Sequence, residues 1–283
     1  VGIIAVTGAT GQLGSRVARM LADRGVPQRL VVRDPSRAPE LDGAEVAVAS
    51  FEDESALRTA LSGVDTLFLV SAHESADRMP EHRSAVRAAV AAGVDRVVYT
   101  SFMGASPLAT FTFAREHSQT ERLIAESGLR LTALRNSLYA DMLPLFVDGD
   151  VIRGPAGQGR VAWVARHDVA RLAVEALLDP AHADRVYDVS GPEPVDLHES
   201  ARILSEVTGR EIGYVAETDE EARASRAGSE PWQIDGWAGS YKAVATGETS
   251  VTSHTIEHVT GRRPWTLEEF LRSEPESWSH LAA

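Results

Sequence analysis

Cysteine is absent from the 283 residues, which excludes disulfides, thiolate metal sites and a cysteine nucleophile and suits a reducing compartment. Lysine is nearly absent too: of 28 Lys and Arg residues only Lys242 is lysine, so almost every fixed positive charge is a guanidinium. No basic cluster occurs, and the formal net charge is -13 with a pI near 5.2. That balance disfavours nucleic acid and anionic membrane surfaces as partners, since both reward grouped Lys and Arg. The first apolar run is short and ends in a glycine turn, so neither a signal peptide nor a transmembrane span is expected. Internal repeats and low-complexity tracts are also missing. What remains is the expectation of a cytoplasmic globule, because 43% hydrophobic content over this length suits one large α/β domain or a core with a smaller appendage.

The stretch Val6-Thr7-Gly8-Ala9-Thr10-Gly11-Gln12-Leu13-Gly14 follows the strand-like run from Ile3 and opens a helix-like stripe of Val17, Met20 and Leu21. Glycines three apart at such a junction have three uses: a tight strand-to-helix turn, close backbone approach to a pyrophosphate, and close helix-on-strand packing. The free N–H groups and dipole of the helix starting near Gln12 would face the phosphates. An ordinary turn without ligand is the competing reading. The strand before it and the second strand at Arg29 to Val32 favour the dinucleotide-binding one.

Strand-like and helix-like segments alternate as far as Arg135, which implies parallel strands with helical crossovers. Strands are expected at Ile3 to Val6, Arg29 to Val32, Glu45 to Ala49, Thr66 to Val70, Arg96 to Tyr99 and Leu131 to Leu134. Helices are expected at Leu13 to Arg24, Glu54 to Leu61, Arg78 to Ala92 and Arg115 to Ser127, with Gly25, Gly63, Gly93 and Gly128 in the C-terminal glycine position. The fold class is therefore α/β, a doubly wound parallel (Rossmann) sheet with a smaller C-terminal substrate-binding lobe. Residues 1–150 form the expected dinucleotide-binding core and 151–283 mainly the substrate lobe, with 165–190 packing back on the core. A helix is expected at His167 to Leu178, a late strand at Tyr187 to Ser190 and a helix at Asp196 to Thr208 with its stop at Gly209. Residues 216–230 resist placement.

At the end of the second strand, where an NAD site usually offers Asp or Glu to the ribose, stands Arg33. Arg37 follows, so two guanidiniums could fork onto a 2'-phosphate. NADP(H) is the cofactor this pattern favours. Surface arginines paired with Asp34 or Glu40 are the alternative.

The glycine turn, Val32-Arg33, Tyr99-Thr100-Ser101, Arg115-Glu116-His117 with Thr120-Glu121, and Leu134-Arg135-Asn136 together resemble the atypical short-chain dehydrogenase/reductases. The match is closest to the NmrA-like branch that includes type 2 NADPH:quinone oxidoreductases and triphenylmethane reductases. Trp163 to Ala170 and Gly261 to Leu271 also fit that branch, so the resemblance spans nearly the whole chain, with residues 216–250 the vaguest part. Ordinary members of the superfamily carry Tyr-x-x-x-Lys, whose tyrosine protonates the substrate oxygen and whose lysine lowers that tyrosine's pKa and holds the nicotinamide ribose. The corresponding positions here are Phe113 and His117, and with Ala238 four residues before the single lysine no such dyad exists anywhere. A phenyl ring has no proton to give. Ketone reduction by the usual dyad is thereby disfavoured, while hydride transfer to an electron-poor quinone or cationic dye needs no obligatory acid.

The resemblance implies cofactor contacts from Gly8, Thr10, Gly11, Gln12, Leu13, Gly14, Arg33, Arg37, Ser71, Ala72, Ser101, His117 and Asn136. His117, with an ordinary pKa near working pH, and Tyr139 are the candidate proton donors; a solvated helix histidine and a structural aromatic are the plain alternatives. His73 and Glu74 fall in the loop expected to flank the ribose. His254 and His258 stand at helical spacing without the glutamate of a zinc-protease motif, and no metal is expected. Trp232, Trp237, Tyr241 and Trp265 in the tail are core aromatics or the roof over a flat substrate. The expected activity is NADPH-dependent reduction of a planar, apolar or aromatic small molecule by a monomer or homodimer. An NADP-binding redox sensor without turnover, and a biosynthetic ketoreductase or isomerase, are the alternatives.

Overall fold

A computed structural model describes residues 2–282. The chain runs β1 (Ile3–Thr7), α1 (Gln12–Asp23), β2 (Gln28–Val32), β3 (Ala44–Val48), α2 (Glu54–Ala60), β4 (Val64–Leu69), α3 (Met79–Ala92), β5 (Arg96–Phe102), α4 (Thr112–Glu126) and β6 (Arg130–Asn136). It continues through β7 (Val147–Asp148), β8 (Val151–Gly154), β9 (Arg160–Val161), α5 (Arg166–Leu178), β10 (Arg185–Val189), β11 (Val195–Asp196), α6 (Leu197–Thr208) and β12 (Gly213–Ala216). Helices α7 (Asp219–Ala224), α8 (Pro231–Ala245), α9 (Thr255–Thr260) and α10 (Leu267–Ser273) complete it.

Seven strands form one sheet in the order β10-β6-β5-β4-β1-β2-β3, and the pairs β1–β2, β2–β3, β1–β4 and β4–β5 are parallel. The chain reverses its direction of growth between β1 and β4, which is the switch point of a doubly wound sheet, where ligands bind past the strands' carboxyl ends. The expected six strands are all present, and the late strand is the seventh, at the sheet edge. Strands buried on both faces need continuous apolar runs, and β1, β4 and β5 supply them: Ile4, Ala5, Val6, Leu67, Phe68, Val97 and Val98 are each at most 1% exposed.

Helix ends follow local chemistry. Gly93 and Gly209 end α3 and α6 in the left-handed conformation, with φ of 79° and 74°, which glycine adopts without a Cβ penalty. Asp196 caps α6 by accepting from the Glu199 amide at 2.9 Å. The unplaced stretch 216–230 contains α7, opened by a capping box in which Thr218 and Glu221 satisfy each other's amides. That Thr-x-x-Glu signal was available in the sequence. Helix α4 starts three residues earlier than expected, at Thr112.

Two compact units emerge. One comprises the chain up to Ser101 with Glu116–Arg135 and Val169–Tyr187; the other comprises Phe102–Arg115, Asn136–Asp168 and the chain from Asp188 onward. The segment 169–187 thus belongs with the first unit. In the second unit, α6 and α10 pack around Trp163, Leu204, Phe270 and Leu271, and β12 pairs in parallel with β8. Of the tail aromatics, Tyr241, Trp237 and Trp265 belong to or pack against that same core, while Trp232 packs against a separate one around Phe113. Trp232 packs on Phe113, Trp237 on Tyr241, and Trp265 stacks on His167 with ring centroids 4.9 Å apart. No helix among the described residues is long and apolar enough to cross a membrane.

Candidate functional site

The carboxyl ends of β1, β2, β3 and β4 enclose a cavity of about 380 Å³ within the first unit. Gly8, Thr10 and Gly11 form one wall, Arg33 and Phe51 another, and Ser71, Ala72 and His73 a third. Gly8 has φ of 62°, a conformation other residues rarely adopt, and its carbonyl oxygen accepts from the Gly11 amide at 2.8 Å. A Cβ on Gly14 would fall on the Gly8 carbonyl and lie 2.9 Å from that of Thr7, so only glycine lets α1 sit this close to β1. The first-turn amides of Gln12, Leu13 and Gly14 have no intrahelical acceptor, no side chain caps the helix, and no acidic residue occupies its first turn. A phosphate is the natural complement of such a helix end. The residues present therefore fit a dinucleotide.

Asp34 is committed to its own turn: its carboxylate accepts from the backbone amide of Ser36 at 3.0 Å and from its hydroxyl at 2.7 Å, and these bonds hold it below the usual carboxylate range. Neither Arg33 nor Arg37 forms an ion pair with Asp34 or Glu40. Arg33 lines the cavity; Arg37 does not. Glu52 and Glu81 share the cavity with Arg33. Burial and then Glu52 push the Glu81 carboxyl up, against the pull of Arg33, His73 and Arg78. The loop after β3, with Ser50, Phe51 and Glu52, is the part that sequence reading missed. Its signal was its place just past a strand beside β2, on the edge that already carried Arg33.

The loop after β4 is fastened by side chains from its neighbours. The Val70 amide donates to the Thr7 hydroxyl at 2.9 Å, the Ser71 amide to the Thr100 hydroxyl at 2.8 Å, and the Ala72 amide to Nε2 of His82 at 2.9 Å. The guanidinium of Arg78, 2% exposed, donates to the Ala72 carbonyl at 3.3 Å and pairs with Glu116 at 2.6 Å. These bonds set the backbone of Ser71 and Ala72 at the cavity wall.

His117 is not solvated. It is 7% exposed, with Nδ1 2.8 Å from the Tyr99 hydroxyl. Burial, then Arg78 and His82, hold its pKa well below the ordinary imidazole value, so the expected titration near neutrality does not occur. Ser101 donates to Glu121 at 2.5 Å, and the same carboxylate is held by Arg135 through Nε at 2.9 Å and Nη2 at 2.6 Å. The Ser101 proton is thus already given. Neither His117 nor Ser101 lines the cavity.

In the second unit, Phe113 packs edge-on against Phe111 and Trp232, a wholly apolar role for the residue standing at the tyrosine position. The Asn136 amide donates to the Tyr139 hydroxyl at 3.1 Å, which leaves the Tyr139 proton for another acceptor. The Arg166 guanidinium lies 4.0 Å above the Tyr139 ring and pairs with Asp141. Burial pushes the Tyr139 hydroxyl up, so it stays protonated. His254 and His258 have ring centroids 6.1 Å apart, and the described residues hold no cluster of three or more His, Asp or Glu arranged for a metal.

The family model described as NAD(P)H-binding matches residues 8–180, from the first glycine of the turn to just past α5. The chain belongs to the NAD(P)H-binding family. It is 35% identical to quinone oxidoreductase 2 of Escherichia coli (strain K12) over 291 residues, covering 99% of this chain and 98% of that protein. The structure of the NADPH-dependent quinone oxidoreductase from Escherichia coli complexed with NADPH superposes with a TM-score of 0.86 at 33% identity, covering 98% of this chain and 99% of that one. The Citrobacter sp. triphenylmethane reductase complexed with NADP(H) gives a TM-score of 0.82 at 30% identity over 95% and 99% of the two chains. The resemblance to the NmrA-like reductases, the Rossmann fold and the NAD(P)H cofactor are borne out together.

Proposed function

We propose that the protein reduces a quinone-like or other electron-poor planar molecule at the expense of NADPH, as a cytoplasmic monomer or homodimer. Bound NADPH supplies a hydride, and with it two electrons, to the acceptor. The chain supplies the rest. Gly8, Gly11 and the first turn of α1 take the pyrophosphate, Arg33 with Arg37 takes the 2'-phosphate, Ser71 and Ala72 flank the ribose, and His117 and Asn136 border the nicotinamide half. Tyr139, protonated and held by Asn136, can protonate an oxygen that has gained the hydride's electrons.

The observation that carries this reading is the replacement of the proton-donating tyrosine by Phe113, buried among Phe111 and Trp232. An acceptor that needs no obligatory acid suits such a site. Similarity to a quinone oxidoreductase and to a reductase of triphenylmethane dyes supports the same acceptor class. The test is NADPH oxidation, followed by its absorbance, with menadione, a cationic triphenylmethane dye and a panel of simple ketones. Turnover with the first two and little with the ketones is expected. Tight NADPH binding with no oxidation by any acceptor would overturn the enzyme reading and favour a redox sensor.

A further inference from the structure

The dyad that this chain lacks has two halves: a phenol that gives a proton, and a cation that holds the charge left behind. The second half matters because a phenolate away from bulk water is costly unless an opposite charge or a hydrogen-bond donor lies close. The sole lysine, Lys242, is exposed, and every other permanently charged side-chain cation is an arginine.

Arg166 is brought to Tyr139 by the backbone. Tyr139 follows β6 and bridges Val164 in parallel. The Val164 amide donates to the Leu138 carbonyl and the Ala140 amide to the Val164 carbonyl, both at 3.0 Å. Arg166 then opens α5, and its guanidinium carbon lies 4.0 Å from the centre of the Tyr139 ring, within the range in which a cation is attracted to an aromatic face. Asp141 fixes that guanidinium in an ion pair whose side chains are 19% and 13% exposed. On the oxygen itself, the Asn136 amide donates at 3.1 Å. Burial opposes ionisation of the phenol most, Arg166 favours it, Asp141 opposes it and the Asn136 bond favours it. All four residues belong to the second unit.

We propose that Arg166 serves Tyr139 as the missing lysine serves the missing tyrosine, by holding the negative charge that appears on the phenol when its proton leaves. The acid role of Tyr139 rests on the function proposed above; the pairing with Arg166 does not. Once a quinone-like acceptor has taken the hydride, an O–H bond forms at its negatively charged oxygen as the Tyr139 O–H bond breaks. Tyr139 keeps the electron pair as a phenolate, and a solvent proton restores it before the next turnover. Arg166 touches the acid rather than the acceptor, so it is a positioning residue. Asp141 sets both its place and how much of its charge Tyr139 feels.

A fluorinated tyrosine introduced at position 139 of the full chain reads the pairing without turnover, because its electron-poor ring ionises at lower pH than the other tyrosines and the phenolate is seen by absorbance. Arg166→Gln should weaken that ionisation about tenfold, the smaller end of what a neighbouring charge does, and Asp141→Asn should strengthen it. An ionisation constant within twofold of the parent's in Arg166→Gln, or shifts of the same sign in the two variants, overturns the pairing. In the unlabelled protein, Arg166→Gln should lower kcat with menadione roughly 3- to 10-fold, since a weaker acid transfers its proton more slowly. It should leave kcat with a cationic triphenylmethane dye, which needs no proton, within twofold. Equal losses with both acceptors would make Arg166 a packing residue and overturn its part in proton transfer. A parent protein that oxidises no NADPH with menadione would overturn the acid role together with the enzyme reading, and the titration would still decide the pairing.

Discussion

The first turn of α1 leaves no room for a side chain at Gly14: a Cβ there would collide with the carbonyl group of Gly8, the residue that makes the turn out of β1. Two backbones meet, so neither can yield by a rotamer change. Gly14→Ala should therefore lower stability by about 2 kcal/mol, the usual cost of overpacking, despite alanine's better helix propensity. It should also weaken NADPH binding, because the turn must open to admit the methyl group. Urea unfolding and a fluorescence titration with NADPH check both; equal stability and equal affinity would count against the close packing.

Arg33 has no ion-pair partner in Asp34, whose carboxylate is taken up by Ser36. A 2'-phosphate is the missing partner under the proposed function. Arg33→Ala is expected to weaken NADPH by roughly 10- to 100-fold, the worth of a charge-assisted hydrogen bond, and to leave NADH nearly unchanged. Equal losses for the two dinucleotides would remove the phosphate contact.

His82 titrates at about 3 in the folded protein and near 6.5 when unfolded. Between those values the unfolded chain binds the extra proton, so stability is fully present above about pH 6.5 and is lost as pH falls toward 3. His117, also pushed down by burial, adds in the same direction. The free energy of unfolding should fall between pH 7 and pH 5, with a slope of up to about 1.4 kcal/mol per pH unit from each histidine. His82→Asn should be less stable at pH 7 but show a shallower slope. A parent protein with no pH dependence in this window would contradict the buried, neutral assignment.

Under the proposed function, replacing Tyr139 should separate acceptors by their proton demand. Hydride added to a cationic dye gives a neutral product, whereas a quinone must also take protons on oxygen. Tyr139→Phe should reduce kcat with menadione by about 100-fold, the lower end of what a positioned acid contributes, and leave kcat with the dye and KM for NADPH within about twofold. Equal effects on both acceptors would assign Tyr139 to packing.

Much of the architecture was readable before any coordinates. The apolar runs from Ile3 and Arg96, the glycine stops at Gly93 and Gly209, and the turn from Gly8 to Gly14 are local signals, set by side-chain burial and backbone sterics within a few residues. The short strands β7, β8, β9, β11 and β12 were not readable: two to four residues carry no periodicity. The role of Phe51 was hidden for a similar reason, since one aromatic after a strand has no pattern until its strand is placed beside β2.

The sequence by itself determined the sheet, the cofactor class and the lack of a Tyr-x-x-x-Lys dyad, because each depends on residue identity at neighbouring positions. Only the tertiary structure decided the states of the chemical groups. It buried His117 against Tyr99, committed the Ser101 proton to Glu121, fastened Ala72 to His82 and left the Tyr139 proton available. The partners in the first three of these pairs lie 10 to 20 residues apart in the chain. A proton's position depends on burial and on the direction of every neighbouring hydrogen bond, and those are properties of the packed network rather than of any one residue.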